Sequence, residues 1–548
     1  MSRRDGAVID IVGRFLERLG VIDAERFRRT ADLAWPRIVT GFAIMSKQTA
    51  DLAMVGIAVG TAGTAGMAFA LAYWEIVVMI GLGLAGGTVS LVSQNYGGEE
   101  SERASLVVGQ SVLLVFVLAA PMMAAFVVLP GPMIGLFDPS PEPLAHGRTY
   151  LVFVAPAIGF EMLNLIASRT YTAVGDTFTE MVARASGAVL NIVVSAVLIF
   201  GFEMGVAGAA IGTTVSTGVV TVVLGWGMVG RSYGSLGMEP SPVPITRAAV
   251  GFEPAIVRQI VEISAPEVGR RLTEGIIVFP LLWIAAAFGP VIVTAIEVGR
   301  RIRSLLNSVN WGLGLASSSL VGQQLGAGEE DEAGAYGRAI IRLSIVIYVG
   351  LALLVVALGE PIASLFVETP AEAAQAGTFV AVGAISAIGL SIDGAAAGAL
   401  LGAGDTRLPF VASLIGRYLF ALPVAALGLV TPLGIVALYL ALLLETYVPG
   451  GINYWLFRRG RWKEVSRRYR PDANGETDSE SVSDVDSDLD SETRRSSCRS
   501  DEPTGDPLGT DRLERPELTH SVSEPAALIR IAIPLFRRTP NKSRVRRS

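Results

Sequence analysis

Apolar residues gather in about twelve long runs, separated by short polar or Gly/Pro-rich stretches. A helix rising 1.5 Å per residue needs ~20 residues to cross a hydrocarbon layer of ~30 Å. The runs cover 31–56, 63–93, 104–129, 149–173, 178–200, 205–230, 255–289, 291–322, 336–358, 371–400, 407–428 and 432–457. Between them stand the turn formers Gly97-Gly98-Glu99-Glu100, Pro130-Gly131-Pro132, Gly175-Asp176-Thr177, Gly326-Ala327-Gly328 and Gly404-Asp405-Thr406, where the backbone meets water again. The pattern predicts an all-α integral membrane protein with twelve transmembrane helices.

The runs also repeat. Leu91-Val92-Ser93-Gln94-Asn95-Tyr96-Gly97-Gly98 is echoed by Leu320-Val321-Gly322-Gln323-Gln324-Leu325-Gly326-Ala327, 229 positions later, and Gly175-Asp176-Thr177 recurs at the same offset. Pro36 and Pro266 open the first span of each half and are the predicted helix kinks. Self-similarity at one offset makes the chain two six-helix repeat lobes. Six is even, so both lobes cross with the same polarity, and a cavity between them is the expected place for a transported molecule.

Composition sharpens this picture. The chain is 51% hydrophobic and 17% charged, with a mean hydropathy of +0.52, as lipid-embedded proteins are. Residues 1–30 read as an amphipathic cytoplasmic segment, 31–230 as the first lobe, 231–254 as a cytoplasmic linker, 255–457 as the second lobe, and 458–548 as a tail. Arg26, Arg28 and Arg29 before the first span, and Arg458, Arg459, Arg461 and Lys463 after the last, predict that both termini are cytoplasmic in a multi-pass plasma-membrane protein. Residues 472–492 hold nine acidic side chains and no basic one, a disordered composition; the apolar and basic end of the tail suits contact with an anionic leaflet.

The lone Cys498, with only His146 and His520 outside the apolar runs, leaves no disulfide framework, metal centre or Cys/His or Ser/His catalytic set. A phosphate-binding Gly-rich loop with Lys-Ser/Thr is also missing. The expectation is a transporter that is not an enzyme, has no cofactor beyond a coupling ion, binds no nucleic acid, contacts membrane lipid and acts as a monomer.

Pro36 with Asp51, the two Leu-Val-(Ser/Gly)-Gln segments, both Gly-Asp-Thr turns and Arg301-Ile302-Arg303-Ser304-Leu305 together resemble multidrug and toxic compound extrusion (MATE) transporters over roughly residues 30–460. The first span is most similar to the prokaryotic DNA-damage-inducible (DinF-like) branch. The resemblance implies secondary antiport: export of organic cations, drugs or amphiphiles in exchange for H⁺ or Na⁺, without ATP.

Charges inside the spans are the candidate machinery, because each costs at least ~2.5 kcal/mol in a bilayer unless it finds a partner, water or a proton. By resemblance Asp51 matches the first-lobe carboxylate that binds the coupling ion, with Asn164 and Asn191 as its polar partners; a second acid expected four residues after Asn191 is Ser195 here. Lys47 lies four residues before Asp51, within pairing reach on a helix, as a static partner or as a switch. In the second lobe Asp393 takes the repeat position of Asn164 with nothing basic within a helical turn, which makes it the cleanest unpaired acid of the chain and a candidate ion or substrate site. Glu274 has Arg270 four residues before it, so an ion or substrate site and a plain salt bridge are both open. Glu161 is a candidate for the cavity or for cross-helix pairing. Glu75 beside Tyr73 and Trp74 suits an amphiphilic cation or interfacial anchoring. The alternative cargo is a lipid-linked saccharide or other anionic amphiphile; it would favour a cationic cavity, whereas the acids assigned to the cavity outnumber its plausible bases.

Overall fold

The computed structural model describes residues 3–234, 238–246, 249, 251–364 and 370–470. The acidic stretch and the basic end of the tail, with Cys498 and His520, lie outside the described residues.

After α1 (Arg3–Arg18), the first half comprises α2 (Ala24–Val59), α3 (Thr61–Gly97), α4 (Ser101–Val128), short α5 (Pro130–Gly135), α6 (Pro141–Ala173), α7 (Thr177–Ala196) and α8 (Gly205–Met228). The second half repeats this order with α9 (Pro254–Ile276) and α10 (Val278–Ala286) as a broken first span. There follow α11 (Pro290–Gly326), α12 (Glu330–Ala357), short α13 (Gly359–Ala363) and α14 (Pro370–Gly402). The fifth span is α15 (Arg407–Leu414) and α16 (Leu422–Val430), joined by a π-helical stretch, and α17 (Val436–Arg459) and α18 (Trp462–Arg467) close the described chain. Helix α7 likewise runs through a π-helical stretch to Gly201.

Among the described residues ten spans are long and apolar enough to cross a membrane, counting α7 and α15–α16 together with their π-helical stretches. The two further spans, α9–α10 and α11, fall outside that group for a physical reason: they carry Glu267, Arg270, Arg271 and Glu274, and Glu297, Arg300, Arg301 and Arg303. Such charges survive at membrane depth by facing the protein interior or water, and Glu267 and Arg270 are buried while Glu297 and Arg301 are exposed. Large apolar side chains such as Phe116, Val222, Trp283 and Leu353 point outward, where lipid is their natural solvent.

The repeated motifs meet face to face. Gln94 Nε2 donates to the Gly402 carbonyl at 3.0 Å, and its repeat counterpart Gln323 donates to the Ala173 carbonyl at 2.7 Å. A Cβ on Gly97 would collide with the Gln323 backbone, and one on Gly326 with that of Gln94. These contacts obey the pseudo-twofold axis and seal the lobes at the end where both Gly-Asp-Thr turns lie. Ser319 adds a bond to the Thr172 carbonyl at 2.8 Å, and Arg26 of α2 pairs with Glu332 of α12 at 2.8 Å.

Pro36 and Pro266 both lie inside helices. Proline cannot donate to the carbonyl four residues back, so Asp32 O is free, and the Thr177 hydroxyl of the first Gly-Asp-Thr turn takes it at 3.1 Å. Thr406 of the second turn donates to Ile263 O at 2.8 Å, next to the Glu262 carbonyl that Pro266 leaves without its helical donor. Each turn thus pins the opening helix of its own lobe.

Candidate functional site

A cavity of about 250 Å³ opens above the seal, lined by α2, α3, α6, α7, α8 and, from the second lobe, α11. Asp51 reaches it from α2 while being only 2% exposed. Its carboxylate sits where α2, α7 and α8 pack together. Asn191 of α7, with its amide nitrogen toward the carboxylate, donates to Oδ2 at 3.0 Å and Oδ1 at 3.2 Å, and its oxygen accepts from the Thr213 backbone N–H at 3.0 Å. This orientation follows from chemistry, since an ionised carboxylate has only lone pairs to offer. The Thr213 hydroxyl stands 3.4 Å from Asp51 Oδ2. Ser195 also lies against the carboxylate, with its hydroxyl unbonded.

The first-lobe candidates therefore divide. Asp51, Asn191 and Ser195 come together, joined by Thr213, which the sequence reading missed; its signal was Thr213 with Thr217, one turn apart in an apolar span. Asn164 lines the same cavity but donates to the Thr217 carbonyl at 3.1 Å rather than to Asp51. Lys47 is half-buried in the cavity wall and enters no ion pair among the described residues. Asp51 turns inward to amide and hydroxyl donors instead of along its own helix, so the direct Lys47–Asp51 contact allowed by the spacing is not made.

Glu161 is bound to Arg184 across α6 and α7 at 2.6 Å. Glu75 accepts only a long bond from Gln48, at 3.4 Å, and with Trp74 faces the cavity. Tyr73 does not join them. Successive helical residues point ~100° apart, and its hydroxyl donates to the Met133 carbonyl at 2.5 Å while its ring meets Phe137 edge-on.

The second lobe corrects the reading of Asp393 as an unpaired acid. It accepts from Asn453 Nδ2 at 2.6 Å, and Arg270 Nη1 stands 3.9 Å from Oδ2. The base comes from α9, a different helix, which spacing along α14 could not show. Arg270 holds both oxygens of Glu267 at 2.8 and 2.9 Å and also Glu274 at 2.8 Å. Arg417 approaches Glu274 at 3.5 Å and Arg271 binds Glu267 at 2.9 Å. Glu274 and Asp393 thus belong to a six-member network of three arginines and three acids.

A smaller compartment of about 90 Å³ adjoins the first, sharing Arg37, Leu82, Asn307 and Trp311 as common wall. Together the two are lined by the acids Asp51, Glu75, Glu161, Glu274 and Asp393 and by the bases Arg37, Lys47, Arg169, Arg184, Arg270 and Arg271. The expected excess of acids is overturned: Arg37 and Arg169 lie on helices whose other charges drew attention first.

The MatE family model matches residues 36–197 and 270–427, more than half of the chain, one stretch on each repeat. A probable multidrug resistance protein NorM of Bradyrhizobium diazoefficiens is 25% identical over 452 residues, covering 79% of this chain and 94% of the relative. Human multidrug and toxin extrusion protein 1 is 21% identical over 405 residues, covering 72% and 68%. Among solved structures, a MATE protein in its bent conformation superposes with a TM-score of 0.74 at 17% identity, covering 81% of this chain and 97% of that one. A MOP superfamily transporter from Pyrococcus furiosus, described as having a binding pocket of reverse polarity, superposes at 0.72 and 17% identity, covering 80% and 96%. With twelve helices in two lobes, paired motifs at the seal and matches on both repeats, the chain belongs to the MatE family of transporters.

Proposed function

We propose that this protein is a secondary antiporter of the plasma membrane. It exports drugs or other toxic amphiphiles, organic cations included, in exchange for inward H⁺ or Na⁺ bound at Asp51, and it acts as a monomer with both termini in the cytoplasm. One observation carries the reading: a buried carboxylate is held by neutral amide and hydroxyl donors at the junction of three helices, beside an inter-lobe cavity closed at one end. No cation neutralises Asp51 within ion-pair distance among the described residues, and a desolvated carboxylate favours taking up a proton or a cation.

With the termini cytoplasmic, the sealed end faces the cytoplasm and the cavity looks outward. Occupation of Asp51 from outside removes a buried charge between α2, α7 and α8, which changes how these helices pack and so biases the rocking of the lobes. The resemblance to efflux proteins named for drugs and toxins supports the cargo class. The test is efflux of a fluorescent organic cation from proteoliposomes without ATP, with a pH gradient and a Na⁺ gradient imposed in turn. Efflux that rises with one gradient supports antiport; efflux indifferent to both contradicts it.

A further inference from the structure

The smaller compartment is walled by arginines from both lobes: Arg37 of α2, Arg169 of α6 and Arg271 of α9. Arg169 is 8% exposed, and its guanidinium makes no hydrogen bond or ion pair among the described residues. Arg37 is 6% exposed, and its Nε and Nη1 lack hydrogen-bond partners; the nearest acid, Glu180, stands 3.7 Å away. Arg271 is held by Glu267 at 2.9 Å, but that carboxylate is already bound through both oxygens by Arg270. Asp393 and Glu274 on the far wall are engaged by Arg270, Arg417 and Asn453. Of these three guanidiniums one has no acidic partner among the described residues, one has a single distant one, Glu180, and one shares Glu267 with Arg270, which leaves buried N–H donors over.

Buried guanidinium donors without acceptors cost several kcal/mol, which a bound anion would recover. Guanidiniums match the flat or tetrahedral edge of an oxyanion through paired N–H donors. We propose that this compartment binds the oxyanion group, a carboxylate, sulfonate or phosphate, of the amphiphile that the transporter exports. The inference rests on the reading of the inter-lobe cavity as the cargo path, and it names the cargo's chemistry. At about 90 Å³ the compartment is far below the ~300–1,000 Å³ of a drug-sized pocket. It accommodates a head group, while the adjoining compartment offers Met67, Leu71, Trp74 and Val78 to an apolar body. Arg37 and Arg169 belong to one lobe and Arg271 to the other, so the site is complete only while the lobes are packed together.

The experiment is calorimetric titration of the full chain in phosphatidylcholine nanodiscs with hexyl phosphate, hexyltrimethylammonium and inorganic phosphate. Hexyl phosphate is expected to bind roughly tenfold more tightly than either of the other two, and Arg169→Gln to weaken it roughly tenfold while leaving the cation unaffected. If Arg169→Gln does not purify folded, Arg271→Gln carries the same expectation, since Glu267 keeps Arg270. Hexyl phosphate binding no tighter than the cation, or unchanged in the arginine variants, overturns the proposal. Inorganic phosphate binding as tightly as hexyl phosphate overturns the assignment to a cargo head group in favour of a free anion. Binding needs no ion gradient, so loss of coupling at Asp51 and loss of this site are separately visible.

Discussion

Replacing Gly97 with alanine places a methyl group where the lobes touch. Its Cβ would lie 2.7 Å from both the carbonyl carbon and the Cα of Gln323, whereas non-bonded carbons settle at ~3.5–4.0 Å. Helices α3 and α11 must then part by about 1 Å, because the obstacle is backbone that no rotamer can move aside. Overpacking of this kind costs ~1–3 kcal/mol, and the cost vanishes when the lobes separate at this end. The sealed state should lose population to the opposite state by roughly 5- to 150-fold. Gly326→Ala, related by the pseudo-twofold axis, should do the same. Electron–electron distance measurement between labels at Glu100→Cys and Glu329→Cys, in a Cys498→Ser background, reads the separation directly, since Glu100 and Glu329 are exposed on opposite lobes at the sealed end. Gly225→Ala, with no atom within 4 Å of the added Cβ, is the control. A distance distribution for Gly97→Ala and Gly326→Ala identical to that of the control would refute the reasoning.

Removing the Arg26–Glu332 pair by Glu332→Gln should shift the same distribution far less, because a partly exposed pair is worth ~0–1 kcal/mol, and the shift should disappear in high salt. Arg303→Met strands Glu445, which is 6% exposed and bound at 3.1 Å; a loss of about 3–5 kcal/mol is expected, read as a fall in melting temperature that Glu445→Leu largely reverses. Lys47→Met should alter the pH or Na⁺ dependence of efflux by changing the field at Asp51; unaltered dependence would remove Lys47 from the coupling site. Asn191→Leu deletes the main donor to Asp51 and should weaken coupling-ion dependence more than Asn164→Leu, whose amide bonds a backbone carbonyl, as parallel efflux titrations would show.

The lobes, the twofold repeat and most span limits were legible because bilayer thickness and the 229-residue offset leave direct marks on the sequence. The meaning of the repeated motif was not. Only in three dimensions do Gln94 and Gln323 cross to each other's lobes, with Gly97 and Gly326 admitting the approach. Residues of the candidate site were legible where a rare polar side chain stands in an apolar span, as with Asp51 and Asn191, which the fold brings together. They were missed where a common residue is recruited from another helix: Thr213 to Asp51, Asn453 and Arg270 to Asp393. Tyr73 failed for a related reason, since neighbours in sequence diverge around a helix. Charges could be counted along the chain but not assigned to the cavity, and this hid the arginine wall.

The central claim is that Asp51 is the coupling site. The most direct measurement compares uphill, gradient-driven transport with gradient-free counterflow in Asp51→Asn proteoliposomes. Asparagine keeps the shape and much of the hydrogen bonding but can neither take up a proton nor neutralise Na⁺. The account predicts that counterflow persists while uphill transport is lost; uphill transport at the wild-type level in Asp51→Asn would contradict it.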